Sequence, residues 1–211
     1  MRALALVLIA GGVIVPLDHL AIHDALAIGN SSLESTHKQF HADYRFAVNK
    51  APIDFISVVS PFRRLVLLAE TEVRLGRSTF GQRDAIAALR PDPDRFEVYV
   101  ELTFHPHNTF IGVPEYTIRL EPVATLGPAL VPDGIDRLAR YGPRLDDSSY
   151  PFPYPHPIGL RARAGSEPLV GGTLIARMAG SQLDPKAGYV VVVQDGAREL
   201  ARIRVDLGRL R

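Results

Sequence analysis

Glu101, His105 and His107 come nearest to a reactive set in this chain. On an extended strand, positions i, i+4 and i+6 lie on one face. Here that is the polar face of the segment in which Phe96, Val98, Val100, Leu102 and Phe104 alternate with Glu97, Tyr99, Glu101, Thr103 and His105. Two imidazoles at i, i+2 with a carboxylate form a donor set for one divalent metal ion. Such an ion would activate water for hydrolysis, with Glu101 as third ligand or general base. The competing reading is structural: Pro106 cannot donate to a ladder, so His105-Pro106-His107-Asn108 closes the strand, and turn-flanking histidines are ordinarily solvated. His37 and His41 have the i, i+4 spacing of a helical metal pair. They lack the glutamate of an HExxH motif, and the period-two run that follows places His41 on a strand, where the two stand too far apart to chelate one ion.

Other chemistries find little support. With zero cysteines there are no disulfides, thiolate metal sites or thiol nucleophiles. Neither Ser166 nor Ser181 sits in a Gly-x-Ser-x-Gly elbow. No phosphate-binding glycine loop occurs, and Gly171-Gly172 reads as a turn before a strand. Asp92 and Asp94, and Asp146 and Asp147, are loop carboxylates able to ligate calcium, but without EF-hand spacing. Lys+Arg 24 against Asp+Glu 23 gives a net charge of +1, which argues against a nucleic-acid partner, since neutralising phosphates needs a basic surplus. No cofactor is expected; the alternative is a divalent metal at His105, His107 and Glu101.

The first residues read as an address. Arg2 precedes Ala3 to Val15, an uncharged run, and Ala25-Leu26-Ala27 supplies a small-x-small site. Together these are the parts of a secretory signal over residues 1–27, with a mature start near Ile28 and a destination in the periplasm or outside the cell. The alternatives are an uncleaved membrane anchor over residues 3–22 and a buried N-terminal element.

The elements that must position any site follow from periodicity. Residues 28–38 are polar and unpatterned and read as a linker, leaving one domain over 39–211. Phe40, Ala42, Tyr44, Phe46 and Val48 alternate as a half-buried strand, and Ile53 to Val59 is a second. Ser60 as cap, Pro61 at the first helical position and Gly76 at the end bracket a helix with apolar Phe62, Leu65, Val66, Ala69 and Val73. Thr79-Phe80-Gly81-Gln82 is a capping-box pattern for a second helix stopped by Pro91, which makes a helical hairpin over about 60–90. Fourteen of the seventeen prolines lie at position 91 or later, which disfavours long helices there. Strands are expected at 96–104, 116–121, 158–164 and 173–178, and a short helix at 133–141. Tyr150 to Pro157, with proline at every second position, is an extended strip that either crosses its own domain or is offered to a partner groove. Val190–Val193, Asp195-Gly196 and the alternating Ala201, Ile203, Val205, Leu207 describe a terminal hairpin. Arg161, Arg163, Arg202, Arg204, Arg209 and Arg211 fall on wet faces or at the terminus; they guard sheet edges or form an anion-binding patch.

The expected class is α+β: antiparallel, sandwich-like sheets with the helical hairpin and one short helix. Ser60-Pro61-Phe62 opening an Ala/Leu-rich helix, the short helix after it, and terminal strands ending Val205-Asp206-Leu207 resemble exported bacterial proteins of uncharacterised function. The resemblance implies export and fold, and attaches no activity. The function expected is a non-catalytic binding or structural module of the cell envelope, with an envelope protein or polysaccharide as partner and no nucleic acid. Membrane contact is expected only through an uncleaved N-terminal segment. The competing class is the metal-assisted hydrolase at His105 and His107.

Overall fold

The computed structural model describes residues 17–77, 80–105, 107–123, 127–142 and 168–210. Within them the order is α1 (His19–Gly29), α2 (Glu34–Ala42), β1 (Arg45–Lys50), β2 (Ile53–Val59), α3 (Pro61–Arg74), α4 (Gln82–Leu89), β3 (Arg95–Thr103), β4 (Thr117–Pro122), β5 (Gly134–Tyr141), β6 (Leu169–Ala179), β7 (Gly188–Asp195) and β8 (Arg198–Asp206). All strands pair antiparallel, in a five-stranded sheet ordered β1-β2-β3-β6-β5 and a three-stranded sheet ordered β4-β7-β8. The fold is α+β, as the sequence indicates.

The alternation in β3 fixes which way the large sheet faces. Phe96, Val98, Val100 and Leu102 are fully buried, together with Ile56 and Val58 of β2 and Leu174 and Ala176 of β6. They share one apolar cluster with Ile118 and Leu120 of β4, Tyr189, Val191 and Val193 of β7, and Val205 of β8. Period two thus gives each sheet one face for a common core, at roughly 1.5–3 kcal/mol for each large apolar side chain removed from water. In the terminal hairpin Gly196 turns the chain at φ +57°, a conformation glycine reaches without a steric penalty. Gly171-Gly172 lies inside β6 rather than in a turn before it. A Cβ on Gly172 would stand 2.7 Å from the Leu138 carbonyl oxygen of β5 and 2.6 Å from a Val113 methyl, so the strand runs too close to its neighbours for a side chain there.

A second apolar cluster joins α1, α3 and α4. In α3, Ser60 Oγ accepts from the Arg63 amide at 3.1 Å, Pro61 opens the helix and Gly76 follows it at φ +72°. Phe62, Leu65, Val66 and Ala69 are buried. α4 begins at Gln82, with the Asp84 carboxylate accepting from the Gly81 amide at 3.0 Å; Thr79, read as the cap, lies outside the described residues. The main partner of α3 is α1, which the sequence divided between a signal and a linker. Ile22, Ala25 and Leu26 of α1 are buried against α3, and Gly29 lets the helices touch, since a Cβ there would lie 2.6 Å from both Ala69 Cβ and the Val66 carbonyl oxygen. Phe40 links the two clusters, its ring 5.0 Å from Tyr44 and 5.9 Å from Phe62.

Three local expectations are corrected. Residues 28–38 form the end of α1 and the start of α2, not a linker. The strand expected at 40–48 begins only at Arg45, because α2 runs to Ala42 and a turn separates them. The short helix at 133–141 is strand β5, since the free edge of β6 pairs with it from Gly134 to Tyr141. An anchor over 3–22 also meets a limit: Asp18 caps α1 by accepting from the Ala21 amide at 2.7 Å, and Ile22 is packed on the helical cluster. Residues 1–16, the Tyr150–Pro157 strip and the strand expected at 158–164 lie outside the described residues.

Candidate functional site

His105 and His107 are exposed on the chain leaving β3, with ring centroids 5.4 Å apart. The His107 amide donates to His105 Nδ1 at 3.1 Å, and Asn108 Nδ2 donates to the carbonyls of His105 at 2.9 Å and Leu169 at 3.0 Å. The segment is therefore tied to the start of β6, and the two imidazoles are brought together. Glu101 is engaged elsewhere: its Oε2 accepts from Arg45 Nη2 at 3.0 Å, and that guanidinium lies 3.5 Å over the Phe55 ring. Among the described residues no three His, Cys, Asp or Glu side chains converge as a metal cage.

The other histidine pair occupies the more structured environment. Because α2 is helical, His37 and His41 fall on one face, and that face meets Glu70 of α3. His41 Nε2 stands 2.8 Å from Glu70 Oε1, and His37 Nδ1 stands 3.7 Å from the same oxygen. Arg63 Nε donates to His41 Nδ1 at 3.3 Å, and Arg74 Nη2 donates to Glu70 Oε2 at 3.5 Å. His37 Nε2 lies 3.0 Å from the Ile28 carbonyl oxygen. His41, Arg63 and Glu70 are all buried.

The donor inventory decides what this cluster can do. A guanidinium only donates, so Nδ1 of His41 must accept and Nε2 must carry the proton it gives to Glu70. Burial pushes the His41 imidazole below its ordinary range, and Glu70 opposes that shift only in part. A metal ion at Nε2 would displace that proton while Nδ1 still accepted from Arg63, which demands an imidazolate unless Arg63 moves away. The set therefore reads as a clasp. Arg63 extends it by donating to the Val58 carbonyl, with Tyr44 O at 3.5 Å and the Tyr44 ring at 5.0 Å, tying α2, α3 and β2 at one point. Sequence reasoning had the signals for it: His37 and His41 at i, i+4, and Arg63 and Glu70 seven apart beside the apolar stripe of α3.

A second polar cluster covers the outer face of the large sheet. Glu97, expected on a wet face, is 4% exposed. It pairs with Arg95, accepts from Tyr99 Oη at 3.1 Å, and lies 3.6 Å from Arg177 Nε. Arg177 also pairs with Asp136, and Arg64 donates to the Asp92 carbonyl. Burial, then the neighbouring Glu97 charge, pushes the Tyr99 phenol well up, while burial lowers Arg64. Arg64, Arg95 and Arg177 are balanced by Asp92, Glu97 and Asp136, so the cluster carries no surplus charge to attract an ion. Two of the terminal arginines are paired: Arg202 meets Glu121 at 2.8 Å and Glu199 at 3.0 Å, and Arg209 meets Asp206 at 3.4 Å, while Arg204 is exposed. Arg161, Arg163 and Arg211 lie outside the described residues.

One shallow groove, of about 350 Å³, runs between α1 and α4 along His19, Gln82, Arg83, Ile86, Ala87 and Arg90. A smaller one is lined by Ile28, Phe40, Asp43, Tyr44 and Arg209. Compared with family models, curated proteins and solved structures, the chain matches none.

Proposed function

We propose that the chain is an exported, non-catalytic binding or structural module of the cell envelope. The observation that carries this reading is the way the buried ionisable groups are used. His41 has both ring nitrogens engaged, by Glu70 and by Arg63, and Glu97 is enclosed by Arg95, Arg177 and Tyr99. A general acid or base has to reach a substrate proton, and His41 and Glu97 are buried with their polar atoms engaged by these neighbours. The uncharged run Ala3–Val15 supports export. An envelope protein or a polysaccharide is the partner class this reading implies.

The second reading, metal-assisted hydrolysis, rests on the exposed pair His105 and His107 at 5.4 Å. It requires Glu101 to leave Arg45. Elemental analysis of protein purified without chelators separates the two. Less than about a tenth of an equivalent of zinc, copper or manganese is expected. A full equivalent that His105→Ala/His107→Ala removes would overturn the non-catalytic reading. Export is tested by fractionating native cells; recovery of intact Met1 chain in the cytosolic fraction would overturn it.

A further inference from the structure

We propose that β5 is a self-pairing edge: a second copy of this chain adds its own β5 antiparallel, about a two-fold axis at Leu138, and joins two five-stranded sheets into one. The proposal goes beyond the functional reading above and depends neither on export nor on the choice between binding module and hydrolase.

The four edge strands of the two sheets are not alike. β1 is interrupted by a register shift between Ala47 and Lys50, where Asn49 stands at φ +50°. The edge of β4 is bridged by Leu130, whose backbone exchanges hydrogen bonds with Leu120. β8 carries exposed Arg198, Arg202 and Arg204. Irregularities, covering segments and charges of this kind keep an edge from pairing with another chain. β5 has neither of the first two: Gly134–Tyr141 contains no proline, pairs regularly with β6 as far as Arg140, and among the described residues no strand pairs with its far side.

The charges on its outer face are drawn back over the sheet. Asp136 pairs with Arg177 of β6, and Arg140 Nη2 reaches across β6 to donate to the Leu102 carbonyl at 3.0 Å and to Thr103 Oγ1 at 2.8 Å. Gly171 permits that crossing, because a Cβ there would collide with the guanidinium. Between the two charges Leu138 stands 41% exposed at the edge.

The order of side chains along β5 selects the occupant. Two identical antiparallel strands in one sheet are related by an axis normal to it, so opposed residues share a face and the axis falls on a residue. Centred on Leu138, the pairing sets Asp136 against the partner's Arg140 on both sides of the axis, with Leu138 against the partner's Leu138 between them. On the inner face Ile135, at the rim of the core, meets the partner's Tyr141, and Tyr141 is 41% exposed. Directly opposed Cβ atoms lie about 4.5–5.5 Å apart, within reach for both kinds of pair. The neighbouring registers lose this match. Centred on residue 136 or 137, Asp136 or Arg137 faces its own copy, and centred on 139, Leu138 faces arginine while Asp136 faces Gly142. In the favoured register Arg137 meets its own copy only on the diagonal, about 7–8 Å away, and stays hydrated because it is exposed. Asp136 and Arg140 need not give up their present contacts, since a carboxylate has two oxygens and a guanidinium five N–H groups. A single ladder buries little area, so the dimer is expected to dissociate on dilution.

The chain has no cysteine, so single-cysteine variants of the full chain read the register directly. Under mild oxidation Leu138→Cys is expected to form a disulfide-linked dimer about tenfold faster than Asp136→Cys, Arg137→Cys or Leu20→Cys on α1. Only residue 138 meets its own copy within the Cα separation of about 4.4–6.8 Å that a disulfide needs. Charge exchange is the second arm, read by sedimentation velocity over a range of concentrations. Asp136→Arg and Arg140→Asp alone each set like charges opposite one another and should weaken the dimer several-fold. Mixed one to one, the two variants should associate again, because the mixed pair restores opposite charges at both positions; unfolded chains would not recover in this way. A chain that stays monomeric at every concentration, with Leu138→Cys no faster than Leu20→Cys, would overturn the proposal and leave the edge to another segment or partner. Fastest linkage at 136 or 137 would overturn the register, and a dimer that neither charge variant weakens would place the contact on another face.

Discussion

Glu70 and His41 meet at 2.8 Å across the α2/α3 interface, both nearly excluded from solvent, and the pair does what an apolar stripe does for the other helices. Apart from His41, no residue of α2 is buried, so its docking rests on this contact, on His37 and on Phe40. Replacing His41 by Ala is expected to cost about 1–3 kcal/mol, because Glu70 loses a donor in a place water does not reach. Glu70→Gln keeps the shape and should cost less than Glu70→Ala. Urea unfolding of the three variants checks this; equal stability of all three with the parent would mean the contact is dispensable.

The same residue sets a pH dependence. Burial lowers the folded-state pKa of His41 below its ordinary 6.5, with Arg63 and His37 adding to the shift and Glu70 opposing it. Above about 6.5 the ring is neutral in both folded and unfolded chains, and its contribution to stability is fully present. Below that value the unfolded chain takes up a proton first, so stability falls as pH drops and levels off beneath the folded pKa. Melting temperatures between pH 7.5 and 5 should decline less in His41→Gln than in the parent. Parallel profiles would place the pH sensitivity in another group.

The contact between α1 and α3 gives an independent test of the helical layer. Gly29→Val would drive a branched side chain into Ala69 Cβ and the Val66 backbone, where a Cβ alone is already at 2.6 Å. Backbone cannot yield as a flexible side chain can, and overpacking of this kind costs about 1–3 kcal/mol or more. Gly76→Ala, at a positive φ with open space around it, should cost about 1 kcal/mol from strain alone. Calorimetry showing the two variants equally destabilised would mean α1 moves aside.

What the sequence made legible follows from how local each signal is. β2, α3 and β3 were readable because their patterns, caps and burial agree: Ser60 and Gly76 bracket α3, and Phe96 to Leu102 alternate just as the core requires. α2 was hidden because Phe40 and Ala42, inside the helix, continue by chance the alternation of Tyr44, Phe46 and Val48. Its stabilising partner is Glu70, and the His37/His41 spacing points to that partner only once α2 is read as a helix. β5 was hidden for the opposite reason. As an edge strand it buries little, Ile135 and Leu138 have helical spacing, and only pairing with β6 decides the issue. At the candidate site, the approach of His105 to His107 was readable from i, i+2 spacing, while the diversion of Glu101 to Arg45 was not, since those residues meet only through the β1-β2-β3 register.

The terminal hairpin carries a register test. Val205 is buried in the common core, while its neighbour Arg204 is exposed. Val205→Asp would place a carboxylate in the core without a partner and should unfold the protein or cost several kcal/mol. Arg204→Asp should stay within about 0.5 kcal/mol. Circular dichroism and thermal melts of both variants suffice; similar behaviour would mean that β8 is shifted by one residue against β7.

His105 and His107 provide the test with most bearing on function. Both side chains are exposed, and the contacts that hold their segment come from backbone atoms and from Asn108, apart from the amide donated to His105 Nδ1. His105→Ala/His107→Ala therefore loses one exposed hydrogen bond and should change stability by less than about 0.5 kcal/mol. Asn108→Ala is the contrasting variant, because its amide bridges to Leu169 at the start of β6; a cost of about 1 kcal/mol is expected. The parent and the double variant are then melted with and without added zinc. A zinc-dependent rise in melting temperature in the parent alone would show that the imidazoles hold an ion, since a ligand that binds only the native state stabilises it by mass action. The expected result is the same melting temperature for both proteins with and without zinc, and a clear drop for Asn108→Ala.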